Sequence, residues 1–276
     1  MTVRPTTVLV VGATGSIGRL VVEEAIRHGY ATRALVRDPD KARGLPPETD
    51  VVVGDVTRPE TLVRAVDGVD AMVFTLGSDG AGKVGGESVD YGGVRNVLSA
   101  LGSRTARIAL MTSIGVTNRT GAYNRATEAH DWKRRSERLV RASGLPYTIV
   151  RPGWFDHNGP DEHRLVLLQG DTRQAGDSSD GVIARRQIAE VLVRSLGSDR
   201  AARKSSRQPG RHLRTSMRCS RLWRRTRAGR STGYTTQRTC PWTTSRSECA
   251  TTWTQSRADL RERRMRLVQV PKVTAA

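Results

Sequence analysis

Val8-Leu9-Val10-Val11-Gly12-Ala13-Thr14-Gly15-Ser16-Ile17-Gly18 decides how this chain is read. Four consecutive apolar residues mark a strand buried on both faces. The glycines that follow are spaced Gly12-x-x-Gly15-x-x-Gly18. After them Ile17, Leu20, Val21, Ala25 and Ile26 recur at helical spacing until Gly29. In a strand–turn–helix of this kind Gly12 permits the tight bend, Gly15 lets a pyrophosphate approach the backbone, and Gly18 lets helix and strand pack closely. Exposed N–H groups at the positive helix end then bind phosphate. Thr14, Ser16 and Ile17 complete this candidate set for a dinucleotide.

Outward from that turn, the alternation repeats. Strands are expected at Thr32 to Val36, Val51 to Val53, Ala71 to Phe74, Ile108 to Met111 and Tyr147 to Val150. Helices are expected over Pro59 to Val66 with Thr57 as N-cap, Val89 to Leu101 and Ala129 to Ala142. Leu165 to Leu168 reads as a further strand, and Gly181 to Leu196 as a helix with Ile188, Val191 and Leu192 on its apolar face. Strands and helices alternating at this spacing imply right-handed crossovers. The expected fold class is α/β, a doubly wound parallel sheet in one domain over residues 1–200.

The end of the second strand bears on which dinucleotide binds. A cofactor without a 2′-phosphate needs a carboxylate there, and one with it needs a cation. The strand ends Leu35-Val36-Arg37, with Lys41 and Arg43 close behind. A guanidinium at Arg37 suits a phosphate bidentately, so NADP(H) is the expected cofactor. Asp38 is the competing feature that would favour NAD.

The residues also resemble the atypical short-chain dehydrogenase/reductase superfamily, in its NAD(P)-binding, NmrA-like branch. GATGSIG at 12–18, LVRDP at 35–39, GDVTRPETL at 54–62 and VDYGGVRNVLSAL at 89–101 carry the likeness. So do MTSIG at 111–115, WKRRSERLVRASGLPYTIVRPG at 132–153 and ARRQIAEVLVRSL at 184–196. The resemblance implies a Rossmann-like fold in which Asp55 and Val56 contact the adenine. Thr75, Leu76 and Gly77 would lie along the cofactor, with Arg151, Pro152 and Gly153 near its nicotinamide end. It also implies a substrate pocket completed by segments after the sixth strand, where Trp154, Phe155, His157 and Asn158 begin.

Carbonyl-reducing proteins of this kind carry Tyr-x-x-x-Lys after the fifth strand and a serine at that strand's end. The lysine lowers the tyrosine pKa so that it serves as acid or base. Here Ser113 and Lys133 match, and Ala129 stands at the tyrosine position. Tyr123, Tyr91, His130 and His157 are the residues left to titrate, each with packing as its plainer role. Lys133 also has a non-catalytic use, bonding the nicotinamide ribose. Two readings follow: an NADP(H)-dependent oxidoreductase acting on a small carbonyl or quinone, and a non-catalytic sensor of the dinucleotide.

Composition divides the chain at residue 200. Of 46 Lys+Arg and 27 Asp+Glu, residues 201–276 hold 19 basic and 3 acidic residues, together with all three cysteines. The preceding part is close to neutral and reads as an ordinary globular domain. The tail shows no periodicity of any element and is expected to be poorly ordered. Written in permissible GC-rich codons and read one base earlier, Arg230 to Gln255 can yield an acidic stretch ending in an amphipathic pattern, so the tail is expected to be a frameshift product. The competing reading is nucleic-acid binding through arginines, with Trp223, Trp242 and Trp253 for stacking. Cysteines spaced 21 and 9 apart lack the paired short spacing of a zinc site, so no metal is expected. No run of about 18 apolar residues exists to cross a membrane. The N-terminus has no basic region followed by a long apolar stretch, and the expected compartment is the cytoplasm.

Overall fold

The computed structural model describes residues 6–78, 81–157, 165–168, 170–198 and 201. The tail from residue 202 onward, and with it the expectations of frameshift, disorder, cysteine use and nucleic-acid binding, lies outside the described residues.

Six parallel strands form one sheet: β1 (Thr7–Val11), β2 (Ala31–Val36), β3 (Asp50–Val53), β4 (Ala71–Phe74), β5 (Arg107–Met111) and β6 (Tyr147–Val150). Their order is β3-β2-β1-β4-β5-β6, with every pair parallel. This is the doubly wound α/β arrangement that the alternating pattern predicts. Because side chains alternate across a strand, the apolar runs supply two cores at once. Leu9, Val11, Met72, Phe74, Ile108 and Leu110 enter one layer. Val8, Val10, Ala71, Val73 and Ala109 enter the other.

Each layer is closed by helices. Helix α1 (Ser16–Arg27) buries Ile17, Val21, Val22 and Ala25 in the second layer. The last helix, named below, joins it there through Ile188, Leu192, Val193 and Leu196. The opposite face is covered by an unbroken helical run: α2 (Gly82–Gly85), a π-helical segment (Gly86–Tyr91) and α3 (Gly92–Leu101). Two further helices, α4 (Ala122–Thr127) and α5 (Ala129–Ala142), meet at Glu128, whose φ of 57° is left-handed and breaks one helix from the next. The chain then forms a small parallel pair, β7 (Trp154–Phe155) and β8 (Val182–Ile183), before α6 (Arg185–Leu196).

The structure departs from expectation at four places. The helix expected over Pro59 to Val66 closes only as a 3-10 turn at Pro59–Thr61. Nη1 of Arg33 donates to the carbonyls of Arg64, Ala65 and Asp67, at 3.2, 3.2 and 2.6 Å, and holds the end of this segment in a series of turns. Thr57 does not cap that turn; its N–H and hydroxyl both donate to Asp55 Oδ1 at 2.8 Å. Leu165 to Leu168 is not a strand, and Val166, Leu167 and Leu168 are exposed. The last helix starts at Arg185 and not at Gly181, because Val182–Ile183 pairs with Trp154–Phe155.

Candidate functional site

In the observed strand order, the chain turns to opposite sides of the sheet from β1. The crevice between the carboxyl ends of β1 and β4 is therefore the topological switch point where open α/β sheets take ligands. The glycine turn lies there. Gly12 has φ +91°, a conformation L side chains rarely adopt, and its neighbour across the crevice is Thr75. A Cβ at Gly18 would lie 2.0 Å from the Gly12 carbonyl oxygen, so only glycine lets the helix start this close to the turn. Gly15 is different: a Cβ there meets only Gly12 O, at 3.4 Å. As N-cap of α1 Gly15 offers no side-chain cap, and the first turn contains no acidic residue. The free N–H groups and the positive helix end are left for an anion. Thr14, Ser16 and Ile17 lie in this turn; the Thr14 carbonyl accepts from Arg19 Nε at 3.2 Å.

The loop after β4 is fixed to that turn. The Thr75 hydroxyl donates to the carbonyls of Val11 and Gly12 at 3.2 and 3.3 Å. Leu76 is partly buried against the core and Gly77 is exposed. Val56 is buried, and its carbonyl accepts from Asn96 Nδ2 at 2.8 Å, while the Asp55 carboxylate is taken up by Thr57. At the end of β2, Arg37 is exposed and makes no hydrogen bond or ion pair with the described residues. Asp38, its competitor in the sequence, caps the 3-10 helix Pro39–Gly44 by accepting from Asp40 N at 3.0 Å. Of the two cations behind Arg37, Arg43 pairs with Asp40 at 2.8 Å, while Lys41 is exposed and its backbone carbonyl accepts from Arg19 Nη2 at 2.7 Å.

On the other flank lie the residues at the ends of β5 and β6. Ser113 Oγ is buried with no hydrogen-bond partner among the described residues, and so is His130 Nδ1. Lys133 Nζ bonds Asp90 Oδ1 at 2.7 Å, and Ser78 Oγ, in the loop after β4, donates to Asp90 Oδ2 at 2.9 Å. Asp90 stands in the π-helical segment, a geometry that recurs at functional sites. Its carbonyl accepts from Ser136 Oγ at 2.6 Å. The lysine is thus anchored to a buried carboxylate that the sequence reading did not single out. An aspartate within an otherwise apolar helical run, Val89-Asp90-Tyr91, was the available signal. Pro152 is buried and its carbonyl accepts from Ile114 N at 2.9 Å, tying β6 to the Ser113 loop. Gly153 backs on Gly181, whose carbonyl oxygen would lie 2.2 Å from a Cβ.

Ala129 is buried and has no group to donate. Of the four titratable substitutes, Tyr123 is 59% exposed with its ring 5.1 Å from that of His130. Tyr91 packs on Trp132 at 5.8 Å, under Arg95. His157 meets Trp154 edge-on at 6.2 Å, and Asn158 lies outside the described residues. Burial holds His130 below the ordinary histidine pKa, against the opposing pull of the Asn118 carbonyl and Asp171.

The NAD(P)H-binding family matches residues 12–199, more than half of the sequence. The chain belongs to this NAD(P)H-binding family. The dinucleotide that the name implies suits the donors present: an uncapped, acid-free helix start beside a turn that only glycine can make. Among relatives, an uncharacterised chloroplast protein of Arabidopsis thaliana is 31% identical over 229 residues, covering 72% of this chain and 68% of that protein. Protein TIC 62 of Oryza sativa subsp. japonica is 30% identical, covering 71% of this chain but 44% of its own length. Sanguinarine reductase of Eschscholzia californica is 26% identical, covering 69% and 84%. The chain thus spans between 44% and 84% of the length of these three curated relatives, and less than half of protein TIC 62. A putative NAD-dependent epimerase/dehydratase from Bacillus halodurans has the same fold, with a TM-score of 0.58 at 24% identity over 70% of this chain and 88% of that one. ChuY, an anaerobilin reductase from Escherichia coli O157:H7, gives 0.55 at 21% identity, over 74% and 100%. No helix among the described residues is long and apolar enough to cross a membrane.

Proposed function

We propose that this member of the NAD(P)H-binding family is an NADP(H)-dependent oxidoreductase that reduces a small carbonyl or quinone. The observation that carries the reading is Ser113 Oγ, buried without a partner among the described residues at the carboxyl end of β5. An unmet buried hydroxyl costs about 1–3 kcal/mol, which is recovered when a substrate oxygen arrives to bond it. A protein that only sensed the cofactor gains nothing from keeping that hydroxyl free. The name of sanguinarine reductase agrees with the reductive direction. When bound, the cofactor supplies hydride; this chain's part is to hold its diphosphate over Gly12–Gly18 and to present Ser113 and Lys133.

The preference for the phosphorylated dinucleotide rests on Arg37, exposed and unpaired among the described residues, beside an Asp38 already used as a cap. The test is a fluorescence titration of NADPH and NADH, followed by NADPH oxidation with a panel of quinones and aldehydes. Arg37→Glu is expected to lose NADPH affinity by at least tenfold and to leave NADH unchanged. Equal loss for both would overturn the assignment. Tight binding with no turnover on any substrate would leave the sensor as the reading.

A further inference from the structure

Among the described residues six buried side-chain N or O atoms lack a hydrogen-bond partner. Two of them, Ser113 Oγ and His130 Nδ1, come from the end of β5 and the first turn of α5. Such atoms are rare and expensive, so two of them on adjoining segments point to a missing bonding partner. His130 follows Ala129 and precedes Lys133 by three residues, which puts it about 60° from the lysine around the helix axis. Its ring edge faces the Ser113 loop: a Cβ on Gly115 would lie 3.5 Å from His130 Cε1. The other ring face is met by Tyr123.

Resting on the oxidoreductase reading above, we infer that His130 is the proton donor of the reduction, taking the part that Ala129 cannot. Hydride and its two electrons, supplied by the nicotinamide, form the new C–H bond at the carbonyl carbon. The C=O π pair moves onto oxygen, which Ser113 Oγ bonds. That oxygen takes the proton from Nδ1 of the His130 imidazolium, and the neutral imidazole regains a proton from water. The charged groups around the ring are Asp171 and Asp131, which favour its protonated form, and Lys133, which opposes it; the Asn118 carbonyl also favours it. Asp171 is itself held over the loop by Gly115 N, Thr117 N and the Thr117 hydroxyl, at 2.8, 2.7 and 2.7 Å. Burial prevails and lowers the pKa, so the donor is loaded on the acid side and is a stronger acid than free histidine.

Wild type, His130→Gln and Tyr123→Phe would be compared by kcat/KM for NADPH-dependent reduction between roughly pH 5 and 8. Wild type should fall about tenfold per pH unit above the histidine pKa, whereas His130→Gln should be about 100-fold slower and flat. Tyr123→Phe should keep the wild-type profile. Independently of turnover, an NMR titration of the His130 ring in the cofactor-free wild type should give the same midpoint as the kinetic profile, which needs no variant to fold. Differing midpoints, or a His130→Gln protein with unchanged rate and slope, would overturn the assignment. Loss of rate in Tyr123→Phe alone would move the donor to that hydroxyl. Wild type inert on every substrate would sink the oxidoreductase reading itself; an active wild type indifferent to His130 would sink only this one.

Discussion

Arg151 meets Glu137 through two parallel hydrogen bonds, Nε to Oε1 at 2.7 Å and Nη2 to Oε2 at 2.5 Å. The carboxylate is completely buried and also accepts from Thr112 Oγ1 at 2.9 Å and Arg141 Nη2 at 3.0 Å. One side chain on α5 therefore joins the ends of β5 and β6, the two strands whose loops carry Ser113 and Pro152. Glu137→Gln keeps the shape but strands a guanidinium that is mostly buried. Urea denaturation is expected to register a loss of about 3–5 kcal/mol, the usual cost of breaking a buried pair from one side. A loss below about 1 kcal/mol, the range of surface ion pairs, would mean the network does not hold the strand ends.

The same network sets an acid limit. Burial pushes the Glu137 pKa upward, but the hydrogen bonds and charges of Arg151, with Thr112 and Arg141, outweigh it and hold the carboxyl below its ordinary value. A carboxylate with a depressed folded-state pKa contributes stability that is whole above its unfolded-state pKa. That contribution is lost as pH falls through the lower folded-state value. Stability against urea should thus be level near neutrality and decline below the ordinary carboxylate range. The decline should be shallower in Glu137→Gln, and parallel curves for the two proteins would refute the link.

The sheet was legible because its strands are buried on both faces, and runs such as Val8–Val11 and Ala71–Phe74 admit little else. The glycine turn was legible because backbone sterics tie residue type to geometry. Less could be read wherever long-range polar contacts decide the structure. Pro59 to Val66 carries a helical pattern, yet only Pro59–Thr61 closes, and Arg33 from a neighbouring strand holds the Arg64 and Ala65 carbonyls. Gly181 to Ala184 continues a helical pattern but is captured by Trp154–Phe155. Asp90 and Glu137 were invisible as partners of Lys133 and Arg151, since their roles depend on residues 43 and 14 positions away. Leu165 to Leu168 misled because an apolar run predicts burial only if something covers it.

Gly15 and Gly18 should respond oppositely to alanine. At Gly18 a Cβ would collide with the Gly12 carbonyl at 2.0 Å, and both atoms belong to backbone that cannot step aside. Gly18→Ala is expected to lower the thermal midpoint and abolish dinucleotide binding together. At Gly15 the only contact is at 3.4 Å, so the fold accepts the methyl group. Gly15→Ala should retain the wild-type melting temperature and lose NADPH affinity by tenfold or more, because the methyl occupies the diphosphate's path. Thermal shift with and without NADPH separates the two, and an unaltered affinity in Gly15→Ala would displace the diphosphate from this turn.

Lys133 and Asp90 allow the structural part of an ion pair to be separated from the functional part. Asp90 has 2% of its side chain exposed and Lys133 18%, so neither charge has water to fall back on. Asp90→Asn strands the ammonium and also loosens Ser78, whose loop carries Thr75, Leu76 and Gly77 along the crevice. A loss of about 3 kcal/mol in urea is expected, with weaker NADPH binding. Removing both charges in Asp90→Asn/Lys133→Met leaves nothing unpaired, and most of that stability should return. If the lysine serves only packing, NADPH affinity returns with it. The expected outcome, on the proposal that the ammonium serves the nicotinamide ribose, is that affinity and turnover stay low while stability recovers. Recovery of all three in the double variant would assign Lys133 to the scaffold.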